Sequence, residues 1–251
     1  MNMKSNDTHN EEIQLNKQYW EKKPVLRRIY AEFYEKIAAH LKRAPQEVTV
    51  EIGSGIGNLK SVVPDCIRTD MFDNPWLDQV ENAYHLSFAD SSVDNLVLFD
   101  VWHHLQYPGT VLSEFYRVLK PNGRVIIFDP DMSLLGLVAY GLFHHEPLGL
   151  KKEISWDMPA STNFTELAYY AAQGNANRVF VGKEKENLPR NWNQIHAQRM
   201  ASLAYVASGG YSKPQLYPSI LYPFLKAVDK ACSLLPSVFS VRLLVVLEKR
   251  S

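Results

Sequence analysis

Three glycines at alternate positions, directly behind a short β-type run, constrain this chain more than any other feature. The segment reads Val50-Glu51-Ile52-Gly53-Ser54-Gly55-Ile56-Gly57. Residues 48–52 are rich in β-branched side chains, and a glycine cluster at their end marks a strand that turns sharply. Glycine lets the backbone adopt left-handed conformations and lets a ligand come against the main chain. A dinucleotide site asks for G-x-G-x-x-G, with pyrophosphate lying on a helix N-terminus. Here the spacing is G-x-G-x-G, and Asn58 stands where the third glycine would be. Glu51 adds a carboxylate at the strand end, which repels pyrophosphate and suits a cationic amino group. A loop that only turns the chain is the remaining alternative.

The rest of the chain supplies the frame for such a turn. Further strands are expected at residues 66–69 (ending at Asp70), 82–85, 96–99, 125–128 (ending at Asp129) and 241–247. Apolar residues at three- and four-residue steps predict helix from Glu11 to about Arg43, divided at Pro24. A second helix is expected over 108–120, stopped by Pro121-Asn122-Gly123. Strands alternating with helices imply an α/β, doubly wound, mostly parallel sheet whose ligands bind at the carboxyl ends of the strands. Glu51, Asp70, Asp100 and Asp129 all fall at such ends. The expected organisation is a disordered tail (1–10) with N-terminal helices to residue 45, a core over 46–131, an aromatic, helical insertion over 132–236 and a return strand over 237–251.

From Glu51 to Gly57 the chain resembles class I, Rossmann-like methyltransferases that use S-adenosylmethionine (SAM), whose first motif is a strand, an acidic residue and a glycine-rich turn. The resemblance implies a seven-stranded sheet and SAM held by Glu51, Gly53, Ser54, Gly55 and Gly57, leaving S-adenosylhomocysteine (SAH) as product. A second acidic residue about 20 positions on should hold the ribose hydroxyls, and Asp70 stands nineteen positions past Glu51. Met71 would lie on the adenine or pack as ordinary core. Asn82-Ala83 would meet the adenine edge, with Asn82 replacing the aspartate of the family pattern. The link from Asp70 to Asn82 is short, so the usual second helix shrinks to a turn around Pro75-Trp76. The stretch from Asp100 to Leu105 resembles the loop after strand four, with Asp100 also assigned to the cofactor, and Leu119 to Arg124 resembles the turn into strand five. The resemblance covers roughly residues 48–130. Its nearest branch methylates small molecules, and no Asn-Pro-Pro-Tyr-type motif follows strand four.

Methyl transfer needs proximity, orientation and a dry site, with a base only where the acceptor carries a proton. His103 and His104 are the candidate catalytic bases; the alternative is that they pin their loop. His144, His145 and Glu146 could be ligands, but adjacent histidines rarely face one ion, so no metal is expected. Trp192, His196 and Arg199 fall on one face of an expected helix and either line an acceptor pocket or form a mixed surface. Tyr19-Trp20 either closes over the cofactor or packs on the domain. The apolar stretch 216–239 either packs beneath the insertion or meets a membrane, an oily substrate or a second copy.

Lys and Arg total 27, as do Asp and Glu. That balance argues against a non-specific nucleic-acid binder, which carries a basic excess. Cys66 and Cys232 have no metal-ligand spacing around them, and no stretch is long enough for a membrane span. The N-terminal residues lack the apolar run of a signal peptide, so a cytoplasmic location is expected. The expected activity is methyl transfer to a small-molecule acceptor, lipid-linked or glycosidic. SAM binding without catalysis and a nicotinamide-dependent oxidoreductase are the alternatives.

Overall fold

The computed structural model describes residues 6–164 and 167–250. Two helices lead, α1 (Asn6–Lys22) and α2 (Pro24–Ala38). Pro24 starts α2, where its missing N–H costs nothing. The alternating region follows as β1 (Thr49–Ile52), β2 (Ile67–Asp70), β3 (Gln79–Val80), β4 (Val93–Phe99), α3 (Pro108–Val118) and β5 (Leu119–Pro130). The remainder holds α4 (Leu134–Phe143), α5 (Asn175–Phe180), β6 (Trp192–Ala201), α6 (Leu203–Ser208), α7 (Tyr222–Cys232), α8 (Pro236–Phe239) and β7 (Ser240–Lys249).

One seven-stranded sheet runs β3-β2-β1-β4-β5-β7-β6. Strands β1 to β5 pair in parallel, whereas β7 is antiparallel to both β5 and β6. The central strands are continuously apolar because both faces are covered. On one face Val50, Leu96, Leu98, Val125, Ile127 and Val245 meet α3 through Val111, Leu112 and Phe115, and α5 through Val179 and Phe180. On the other, Val97, Ile126, Phe128, Leu244 and Val246 meet Leu26, Ile29, Phe33 and Ile37 of α2. Each buried Leu, Ile or Phe contributes about 1.5–3 kcal/mol, so the alternating strand residues lock the register as well as the layers.

Several sequence expectations need correcting. Of the expected tail, residues 1–5 lie outside the described residues, and α1 already begins at Asn6. The third strand is Gln79–Val80, and Asn82 to His85 is a tight turn with a single bridge, in which Asn82 Oδ1 accepts the Tyr84 N–H at 3.0 Å. The helix expected to run to residue 120 and stop at Pro121-Asn122-Gly123 ends at Val118, and those three residues lie inside β5, where Asn122 takes φ 58° and the register with β4 slips. The largest correction is at residues 192–201, which form the edge strand β6. The fully buried run of β7 needs a partner on its free edge, and β6 supplies it. The span 132–236 is therefore partly sheet. Trp192, His196 and Arg199 consequently separate: Trp192 packs on Tyr116 at 5.8 Å, His196 on His40 at 4.3 Å, and Arg199 pairs with Asp131 at 2.7 Å.

Candidate functional site

The carboxyl end of β1 delivers Glu51 into a buried position 3% exposed. Its Oε2 has no hydrogen-bond partner, and burial pushes the Glu51 carboxyl up to about 8, outweighing the lowering by Ser54 and Arg68. A buried carboxylate oxygen left in this way calls for a cation. The following loop has Gly53, Gly55 and Gly57 all at positive φ, between 53° and 70°. A Cβ at Gly53 would come within 2.5 Å of Val101, while one at Gly55 would meet nothing within 4 Å. Gly53 is thus required by packing on the next loop, and Gly55 leaves its backbone open to approach. Ser54 ties the loop to β2: its Oγ accepts the Thr69 N–H at 3.0 Å and its N–H donates to the Thr69 carbonyl at 2.8 Å.

β2 ends at Asp70, whose Oδ2 accepts the Gly55 N–H at 3.1 Å, so the two acidic strand ends share one loop. Met71 beside it is 52% exposed, which favours a face open to a ligand over core packing. Ala83 is buried, and Asn82 Oδ1, already taking the Tyr84 N–H, keeps one lone pair and its NH2 for another group. These residues fit SAM: a carboxylate for its amino group, an open glycine backbone, and a second carboxylate for a ribose. Asp100 behaves differently. It sits at φ 55° and forms a two-pronged ion pair with Arg242, with Nη2 to Oδ2 at 3.0 Å. Arg242 is 1% exposed and lies over the Tyr205 ring at 4.4 Å. Asp100 thus anchors the loop after β4 to β7.

That loop carries His103 and His104. His103 Nδ1 lies 3.0 Å from Asp129 Oδ1 at the end of β5, and its Nε2 lies 3.4 Å from Glu146. Burial alone would lower its pKa, but the two carboxylates outweigh it and push it up to about 10. Held between Asp129 and Glu146, His103 ties the loop after β4 to β5 and to the segment after α4, which favours the loop-pinning reading. His104 Nδ1 lies 3.0 Å from the Tyr170 carbonyl, to which it donates, and its Nε2 is 3.8 Å from Glu146. Glu146 also accepts from Tyr169 Oη and Gln173 Nε2. Burial would raise its carboxyl, yet His103, His104 and Tyr169 hold it well below the usual range.

Glu146 arrives through a chain of local contacts. Ser133 caps α4 by accepting the Gly136 N–H at 3.1 Å, worth about 1 kcal/mol. Tyr140 Oη donates to the Val241 carbonyl at 2.7 Å and fixes α4 on β7. After α4, Pro147 and Leu148 accept from Gln173 and Gly174, and Ala172 N–H donates to the His103 carbonyl at 3.0 Å. Sequence reading had Glu146 only beside its neighbours His144 and His145. Its partners at 103, 104, 169 and 173 are distant in sequence, and the one available signal was three polar residues following the apolar α4. Tyr19-Trp20 resolves toward packing: Trp20 meets Tyr30 at 5.8 Å and Tyr211 at 6.4 Å. Lys17 of α1 lies 4.8 Å from the Trp76 ring, just past β2.

Residues 50–127 match the family model described as "Methyltransferase domain". A curated relative, the anamorsin homolog of Populus trichocarpa, is 28% identical over 91 residues, covering 36% of this chain and 31% of that protein. The chain therefore spans about a third of that relative's length. A SAM-dependent methyltransferase of Thermotoga maritima, possibly a histamine N-methyltransferase, superposes with a TM-score of 0.51 at 15% identity, covering 90% of this chain and 91% of that one. Geranyl diphosphate C-methyltransferase from Streptomyces coelicolor A3(2) gives 0.50 at 12% identity, with 88% and 79% covered. At these identities the structural likeness is one of fold, and it agrees with a family match that runs from the glycine loop to β5. Residues 50–127 thus match a methyltransferase-domain family, within a fold shared with Rossmann-like SAM-dependent methyltransferases.

Proposed function

We propose that this protein transfers a methyl group from SAM to a small-molecule acceptor held between the loop after β4 and the segment 132–188. The observation that carries the reading is the buried, unpartnered Glu51 oxygen beside the open backbone of Gly55. Glu51 takes the amino group of SAM, Asp70 the ribose hydroxyls, and Met71 with Asn82-Ala83 flanks the adenine. In the reaction an acceptor lone pair forms the bond to the methyl carbon. The carbon–sulfur pair returns to sulfur, converting the sulfonium to the SAH thioether, and any proton on the acceptor atom leaves to solvent or a base. The protein's part is orientation and exclusion of water. His103 fixes the loop through its contact with Asp129.

An apolar, lipid-linked acceptor agrees with the exposed apolar side chains at the end of α4 and in the stretch 216–239. Leu142 and Phe143, which end α4 just before Glu146, are 74% and 65% exposed. Leu216, Ile220, Phe224 and Leu234 are also strongly exposed, while Tyr217 and Tyr222 of the same stretch are buried, so the stretch packs on one side and presents an apolar side outward. Exposed apolar surface of this extent suits contact with lipid. No helix among the described residues is long and apolar enough to cross a membrane.

Calorimetric titration of the purified chain with SAM, SAH and NAD tests the cofactor. Micromolar binding of SAM and SAH with no response to NAD is the expected result. Binding of NAD alone would overturn the reading.

A further inference from the structure

Outside the cofactor cradle, the described residues gather His103, His104 and Glu146 so that one ligand atom from each lies within 4.8 Å of the others. We propose that these three residues bind a divalent transition-metal ion of the zinc, iron or manganese kind, beside the acceptor position.

The hydrogen-bonding around the cluster is what a metal site needs. A metal-ligating histidine donates one ring N–H to a carboxylate or carbonyl, which fixes the tautomer and turns the other ring nitrogen toward the ion. Both histidines are arranged this way. His103 Nδ1 is taken by Asp129 and His104 Nδ1 by the Tyr170 carbonyl, each at 3.0 Å. Both Nε2 atoms then face the same carboxylate, at 3.4 and 3.8 Å. Donors about 2.1 Å from a tetrahedral ion stand ~3.4 Å apart, so small shifts bring the set into range. Glu146 is itself steadied by Tyr169 and Gln173. Two imidazoles and one carboxylate suit zinc, iron, cobalt or manganese, whereas magnesium and calcium want an all-oxygen shell.

The inference rests on the methyltransferase reading only for its role. His103 and His104 follow β4, the strand next to β1 and its glycine loop. Three protein ligands leave positions open for an oxygen of the acceptor, whose pKa the ion would lower.

The test is titration of the chelator-treated 251-residue chain with Co2+, read by its visible d–d bands, with SAH titrated into the same samples. One Co2+ per chain at micromolar affinity or tighter is expected. Glu146→Gln and His104→Asn should each weaken it at least thirtyfold without changing the unfolding temperature by more than a few degrees. The double variant His144→Ala/His145→Ala should retain it, although His144 also lies 3.8 Å from Glu146. Acetohydroxamate should shift the bands by entering the open positions; unshifted bands would overturn the acceptor-oxygen role. No Co2+ binding alongside normal SAH binding overturns the metal site and leaves the methyltransferase reading standing. Co2+ binding without SAH binding does the reverse. Binding lost in the His144/His145 double variant but kept in Glu146→Gln and His104→Asn would mean a surface histidine pair, and would also overturn the site.

Discussion

Glu51→Gln should flatten a specific part of the protein's pH–stability curve. Burial pushes the Glu51 carboxyl from the ordinary value near 4.5 to about 8 in the folded chain. The folded state then holds this proton more tightly than the unfolded state does. Its contribution to stability is fully present below about pH 4.5 and is lost as pH rises through 8. At about 1.4 kcal/mol per pH unit, the loss between pH 5.5 and 8 comes to about 3 kcal/mol. For a chain of this size that is about 6 °C in unfolding temperature. A glutamine is neutral at every pH and removes this slope. The assay is thermal unfolding of wild type and Glu51→Gln across pH 5.5–8.5, with and without SAH. The wild-type curve should fall relative to the variant by about 6 °C over that range. Saturating SAH should diminish the difference, because its ammonium supplies the missing counter-charge. Parallel curves for the two proteins without ligand would refute the claim that Glu51 is buried, unpaired and waiting for a cation.

Other outcomes follow from the same geometry. Asp70→Ala should weaken SAM binding at least tenfold by calorimetry; unchanged affinity would remove the ribose assignment. Gly55→Ala should fold with a stability loss of about 1 kcal/mol from its positive φ, whereas Gly53→Ala also collides with Val101 at 2.5 Å and should cost more by denaturant unfolding. Arg242→Ala should destabilise the fold by about 3–5 kcal/mol, since it breaks a pair with one fully buried partner and opens a void against Tyr205 and Phe128. Ile220→Asp with Phe224→Asp should abolish flotation with lipid vesicles while leaving the unfolding temperature nearly unchanged. Flotation equal to wild type would remove the lipid-contact proposal.

What was legible in the chain was whatever local chemistry dictates. Gly53, Gly55 and Gly57 could be assigned because positive φ after a strand admits little else. The apolar runs of β4, β5 and β7 could be assigned because strands buried on both faces carry no alternation. Asp70 was found by its spacing from Glu51, which is set by the length of one crossover. The edge strand β6 was not legible. Its mixed residues between Trp192 and Ala201 suit a helix surface as well as a strand with one solvated side, and only the free edge of β7 decides between them.

The candidate chemistry divides along the same line. The cofactor cradle lies within 33 residues of sequence, from Glu51 to Ala83, and its motif could be read in order. The pairings that set the character of His103, Asp100 and Asp131 reach across the chain, to Glu146, Arg242 and Arg199. A histidine is a base, a fixed cation or a metal ligand according to which carboxylates approach it, and those approaches exist only once β5, β7 and the segment after α4 have packed. The sequence by itself determined the central strands of the sheet, the glycine turn and the cofactor that turn suits. The tertiary structure alone decided which buried polar groups meet, because those partners lie far apart along the chain and come together only on packing.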